Sequence, residues 1–238
     1  MTTNTRVSLT ILSLGFAIEG GGELYSFVSR GAYRPGVSLL FLLPVVMTVA
    51  GLLFVWVGRH EWNELHRARV RQAHLVFALS LLGALVGGVL VAVLLAVPSL
   101  GTPLWARGLF GAAIGSLVLG TFVTYALLVF HLVPRPSKAL LLAALGWALG
   151  VAAFVGGAMA SSLPTIVGLV ARRTPVPAPT LLGPIGSLVS YLFVSYFLLL
   201  AAYVEAHRAV LRGPETRPRS ATAALPAPIG PSGSGGRR

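Results

Sequence analysis

Long apolar stretches alternate with short loops along this chain, and its basic residues gather on every second loop. A membrane crossing needs about 20 mostly apolar residues. Six stretches meet that requirement: Val7–Val28, Gly36–Val57, Leu75–Val97, Leu109–Val133, Ala139–Ala160 and Leu181–Val204. Of the 18 Lys and Arg residues, 13 lie on one alternate set of loops together with both termini, and 5 lie on the other. Cytoplasmic loops carry the excess of positive charge. The expected fold is therefore all-α, a multi-pass bundle of about six transmembrane helices in the cell membrane, with both termini in the cytoplasm.

Composition agrees with that reading and narrows the functions open to it. Hydrophobic residues make up 55% of the 238 and charged residues only 10%, where a soluble domain carries about a quarter charged. A net charge of +12 would suit nucleic acid. These charges sit at membrane edges and near the carboxyl end, however, so anionic lipid headgroups are the expected partner. A membrane-protein partner or a second copy of the chain is also open. With no cysteine, disulfides, thiolate metal sites and Cys nucleophiles are excluded. No cofactor or metal motif is present, and no cofactor is expected. Residues 1–212 read as one membrane domain. Residues 213–238, rich in Pro, Ala, Ser, Gly and Arg, read as a disordered basic tail because they cannot bury enough apolar surface to order themselves.

Two spans are irregular. The fifth apolar run continues from Ala139 to Val170, too long for a simple crossing, and Ser161-Ser162-Leu163-Pro164 interrupts it. Proline removes an amide donor and disfavours helical geometry in the residue before it. The membrane helix is expected to end near Ala160, with residues 165–170 at the outer surface. The first run stops at Glu19-Gly20-Gly21-Gly22-Glu23 and resumes weakly at Leu24. Its apolar part, Val7–Ile18, has the length of a secretory signal, but glutamates stand where small residues should precede a cleavage site.

Those glutamates are the main candidate for chemistry. On a continuous helix, Glu19 and Glu23 share a face, and Arg30 lies seven residues further along it. An ionisable group inside a bilayer is costly and marks a cavity, a partner or an ion pathway, so an unbroken helix implies a proton- or cation-binding site. Three consecutive glycines are also a strong helix breaker. A break after Ile18, leaving both carboxylates wetted at the outer surface, is the expected course.

Helix association in lipid depends on close packing at small residues rather than on hydrophobic burial. Three consecutive spans carry the four-residue glycine spacing: Gly83 and Gly87, Gly111 and Gly115, Gly146 and Gly150. Packing within one chain is the expected use. The loop from Arg59 to His74 begins His60-Glu61, like a zinc-protease helix. Glu64 occupies the place of the second histidine, which breaks the two-His face that zinc requires. The loop lacks Pro and Gly, so the second helix is expected to run on into the cytoplasm. Its Arg59, Arg67, Arg69 and Arg71 are expected to contact lipid headgroups. All five histidines (His60, His66, His74, His131 and His207) map to the inner side, as polar residues at helix ends do, and no metal site is drawn from them. Glu64-Leu65-His66-Arg67-Ala68 is echoed by Glu205-Ala206-His207-Arg208-Ala209.

The stretch from Trp56 through Arg59-His60-Glu61-Trp62 to Leu65, followed by basic residues and a Gly-rich span, resembles multi-span archaeal membrane proteins grouped as domain of unknown function 973. The resemblance covers about a quarter of the chain. It implies an archaeal source and brings no activity or functional residues. Two functions remain for the chain. The first is a non-enzymatic membrane scaffold, regulator or accessory subunit with a basic cytoplasmic surface. The alternative is a small transporter or channel component using Glu19 and Glu23.

Overall fold

The computed structural model describes residues 3–29, 38–66, 69–97, 100–172 and 188–212. These residues form helices α1 (Thr3–Val28), α2 (Ser38–Val57), α3 (Arg59–His66), α4 (Val70–Ala96), α5 (Leu104–Val129), α6 (Lys138–Ala171) and α7 (Phe193–Arg212), with no strand among them. Asn4–Val28, Val70–Ala96, Leu104–Val129, Lys138–Leu169 and Leu188–Leu211 are each long and apolar enough to cross a membrane. The 20 residues of α2 rise about 30 Å, the thickness of the hydrocarbon layer. The molecule is an integral-membrane helical bundle.

Neighbouring helices follow the order α2–α1–α7–α6–α5–α4, with the most extensive contacts between α4 and α5 and between α5 and α6. The two ends of this row meet where the His74 ring on α4 lies 4.9 Å from that of Trp56 on α2. There His74 Nε2 also reaches the Leu52 carbonyl at 3.3 Å. The main core runs along the inside of the row. Leu9, Leu12 and Phe16 of α1, Phe122 and Tyr125 of α5, and Leu199 and Tyr203 of α7 are all buried in it. A second core joins Leu94 of α4, Ala106 and Phe110 of α5, and Leu163 and Val167 of α6.

Three expectations from local sequence are corrected. The first concerns Gly20-Gly21-Gly22, where α1 does not break but continues to Val28. Gly20 is buried against α7, and a Cβ there would stand 3.2 Å from that of Tyr196. The missing side chain thus brings two helices together, and in hydrocarbon an unwound backbone would leave its polar groups unsatisfied. The second concerns α6, which continues through Pro164 to Ala171 instead of stopping near Ala160. Leu163 and Val167 anchor the added turns in the second core. Ser161 and Ser162 donate to the carbonyls of Gly157 (2.8 Å) and Met159 (3.0 Å) within the same helix. The third concerns α2, which ends at Val57. A turn at Gly58 starts the separate helix α3, which buries Trp62.

Glycine contacts hold the row together, and they are not all at the expected pairs. Gly83 and Gly87 of α4 face α5, where added Cβ atoms would lie 3.4 Å from Ser116 Oγ and 2.7 Å from the Ala113 Cβ. Gly111 and Gly115 of α5 face α6, where a Cβ on Gly111 would overlap the Gly156 carbonyl oxygen and one on Gly115 would lie 3.0 Å from that of Ala152. The answering glycine on α6 is Gly156. Gly146 and Gly150 make no such approach, since a Cβ on either would meet nothing among the described residues within 4 Å.

Candidate functional site

The inward face of α1 carries, in steps of three and four residues, Thr5, Leu9, Leu12, Phe16, Glu19, Glu23 and Phe27. Leu9, Leu12 and Phe16 on this seam are fully buried. Because the helix is unbroken, the same seam carries both carboxylates into the bundle, where each is half-buried. Glu19 lies close to Tyr196 of α7, and Glu23 lies close enough to Glu19 for the two charges to repel.

Aromatic rings wall the site on its inner side. Phe16 makes edge contacts with Tyr125 (centroids 4.8 Å apart) and Tyr203 (4.9 Å), and Phe122 lies 4.9 Å from Tyr196. The Tyr203 hydroxyl donates to the backbone carbonyl of Tyr125 at 3.0 Å, fixing α7 to α5. Ser195 donates to the Ala144 carbonyl (3.0 Å) and Trp147 Nε1 to that of Tyr191 (2.8 Å), fixing α7 to α6. Tyr196 is therefore held from two sides, and its position against Glu19 is built into the bundle.

One more polar group enters from α2. Thr48 Oγ1 is buried, lies 3.7 Å from where a Cβ on Gly15 would stand, and faces the Tyr125 hydroxyl. It has no hydrogen-bond partner among the described residues. Ser and Thr in membrane helices ordinarily bond back to a carbonyl three or four residues earlier. Ser8, Ser80, Ser116, Thr121, Thr124 and Ser161 all do so here. Thr48 does not.

The other candidate residues stand elsewhere. Arg30 and Arg67 lie outside the described residues, as does the tail from residue 213. Arg59 and Trp56 stack at the end of α2, with the guanidinium 5.1 Å from the ring centroid, while Arg69 and Arg71 are exposed at the start of α4. Glu61 of α3 accepts a hydrogen bond from the Thr5 hydroxyl, tying the start of α1 to α3. Among the described residues no three His, Cys, Asp or Glu side chains stand together as metal ligands would. An open groove of about 490 Å³ between α5 and α6 is lined by small residues such as Gly108, Ala112, Gly115, Ala153 and Gly157 and by no ionisable group.

Sequence reasoning found the carboxylates but not Tyr196, Tyr125 or Thr48. Extending the Leu9-Leu12-Phe16 seam by its own period would have placed Glu19 and Glu23 inward. No local pattern marks the three hydroxyls, because each comes from a different helix. Fold and site together define a polytopic helical membrane protein with a paired carboxylate inside its bundle. Compared with known proteins, the chain matches no family model, no curated protein and no solved structure.

Proposed function

We propose that this protein is a small membrane transporter or channel component that binds a proton or a cation at Glu19 and Glu23. The observation that carries the reading is the continuity of α1 through three glycines. It sets both carboxylates on the bundle-facing seam, with Tyr196 beside Glu19. Two ionised carboxylates four residues apart in low dielectric repel, and each is costly to bury alone. Among the described residues no ion pair to Glu19 or Glu23 is seen, and Arg30 lies outside them. A bound proton or cation removes both costs, and reversible removal is what a transport site requires. The basic inner loops, with Arg59, Arg69 and Arg71, serve orientation by resting against anionic headgroups on the cytoplasmic side.

The test is flux in reconstituted vesicles under imposed proton, sodium and potassium gradients. The wild-type protein is expected to dissipate at least one of them, and Glu19→Gln to abolish that flux while keeping the fold, since an amide preserves the shape. Wild-type flux from the Glu19→Gln, Glu23→Gln double variant, or no flux from the native protein, removes this reading. A scaffold whose basic face contacts lipid would then remain.

A further inference from the structure

We infer that His74 is a pH-sensitive latch between the two ends of the helix row. Its charged ring ties α4 to α2, and its neutral ring lets them part. The inference is independent of what binds at Glu19 and Glu23.

The surroundings of the two ring nitrogens carry it. Nδ1 lies 2.9 Å from the Val70 carbonyl oxygen, one turn earlier on α4, and Nε2 lies 3.3 Å from the Leu52 carbonyl oxygen on α2. Both partners are backbone oxygens, which only accept. A neutral imidazole offers one N–H and one lone pair, whereas the imidazolium donates from both nitrogens. Only the charged ring therefore makes both bonds. In the neutral ring one nitrogen sets its lone pair against a carbonyl oxygen, a contact without a proton to hold it. The bond within α4 is the shorter of the two, so the bond given up is the one to Leu52.

That loss matters because the joint is narrow. Among the described residues α2 and α4 share far less contact than neighbours along the row do. The bond to Leu52 and the His74 ring against that of Trp56, 4.9 Å between centroids, lie at this joint. On its other side α4 is held, since Ala73 is buried and its carbonyl accepts from the Thr124 hydroxyl of α5 at 3.2 Å. Release at His74 therefore frees α2 rather than α4.

The charged groups nearby do not substitute for the proton. Helix α2 has no ionisable side chain. From α3 come Arg59, stacked on Trp56, the exposed His60, and Glu61, which is bonded to Thr5. From α4 itself come Arg69 and Arg71, and from α5 the neutral Thr124, while Tyr125 turns to Phe16 of α1. The three arginines oppose a second positive charge, but all are exposed, where water and salt screen them. The two carbonyls are in direct contact with the ring.

Imidazole exchanges its proton between about pH 5 and 8, and the test compares the two ends of that interval. The chain has no cysteine, so spin labels on a Val57→Cys, Leu75→Cys pair, both positions exposed, report the α2–α4 distance alone. In the full-length protein in lipid nanodiscs, the ratio of short to long distances should be about tenfold higher at the acid end, the scale of one charge-assisted hydrogen bond. His74→Phe keeps a ring against Trp56 and removes both donors. It should show the alkaline distribution throughout, and His60→Gln should respond as the native chain does. Should His74→Phe fold poorly, nitrogen NMR of the histidine-labelled protein joins the native distance measurement. Both His74 nitrogens should carry protons at the acid end and one at the alkaline end. A His74 ring neutral at the acid end, distances unmoved by pH, or a response that survives His74→Phe or vanishes in His60→Gln would overturn the latch.

Discussion

Gly111 and Gly146 are the same residue type with the same four-residue partner spacing, yet they occupy opposite situations. A side chain on Gly111 would run into the backbone of Gly156, which cannot rotate away, whereas one on Gly146 would meet only open space. Gly111→Ala is therefore expected to cost about 1–3 kcal/mol through forced separation of α5 and α6. Gly146→Ala should be neutral or stabilise by about 0.5–1 kcal/mol, because alanine loses less backbone entropy in a helix. Thermal unfolding of the two variants in detergent checks the contrast, and equal midpoints would refute it. The same distinction explains what could be read at the residue scale. The glycine spacing was visible, but which glycines touch a neighbour depends on how each helix is rotated. Gly15, Gly20, Gly51, Gly120 and Gly156, all in close contacts, carry no local mark that separates them from the open ones.

Among the elements, α1 and α6 show local rules overruled by packing. Gly20-Gly21-Gly22 and Pro164 are strong stop signals in water, where an unwound backbone finds solvent. Inside a bilayer that compensation is missing, so the helix persists wherever neighbours support it. For α1 the support is α7 packed against Gly20, and for α6 it is the burial of Leu163 and Val167. Proline here is tolerated rather than required. Pro164→Ala restores an amide that can bond to the Ala160 carbonyl and is expected to raise stability by about 1–3 kcal/mol. A lower unfolding midpoint in that variant would mean that the proline shapes the packing of α6 on α4 and α5. The outcome at α1 bears on the proposed function, since a break after Ile18 would have left Glu19 and Glu23 in water.

For the whole molecule, the expectation with most support from charge is orientation. With 13 of the 18 basic residues on one set of loops and termini, reporter fusions at the amino terminus and after Arg212 should both read cytoplasmic. An external amino terminus would reverse that orientation. Sequence alone determined that the chain crosses a membrane as helices, because apolar length is a local quantity that adds along the chain. It also exposed Glu19 and Glu23, since ionisable residues stand out in an apolar run. Only the tertiary structure decided that α1 is continuous, that α6 outlasts its proline and that Gly156 answers Gly111. It alone brought a threonine and two tyrosines from three further helices to the same aromatic core. Those outcomes depend on which helix faces turn towards each other, and the energy that chooses among such arrangements comes from contacts between residues far apart in the chain, on which no local pattern reports.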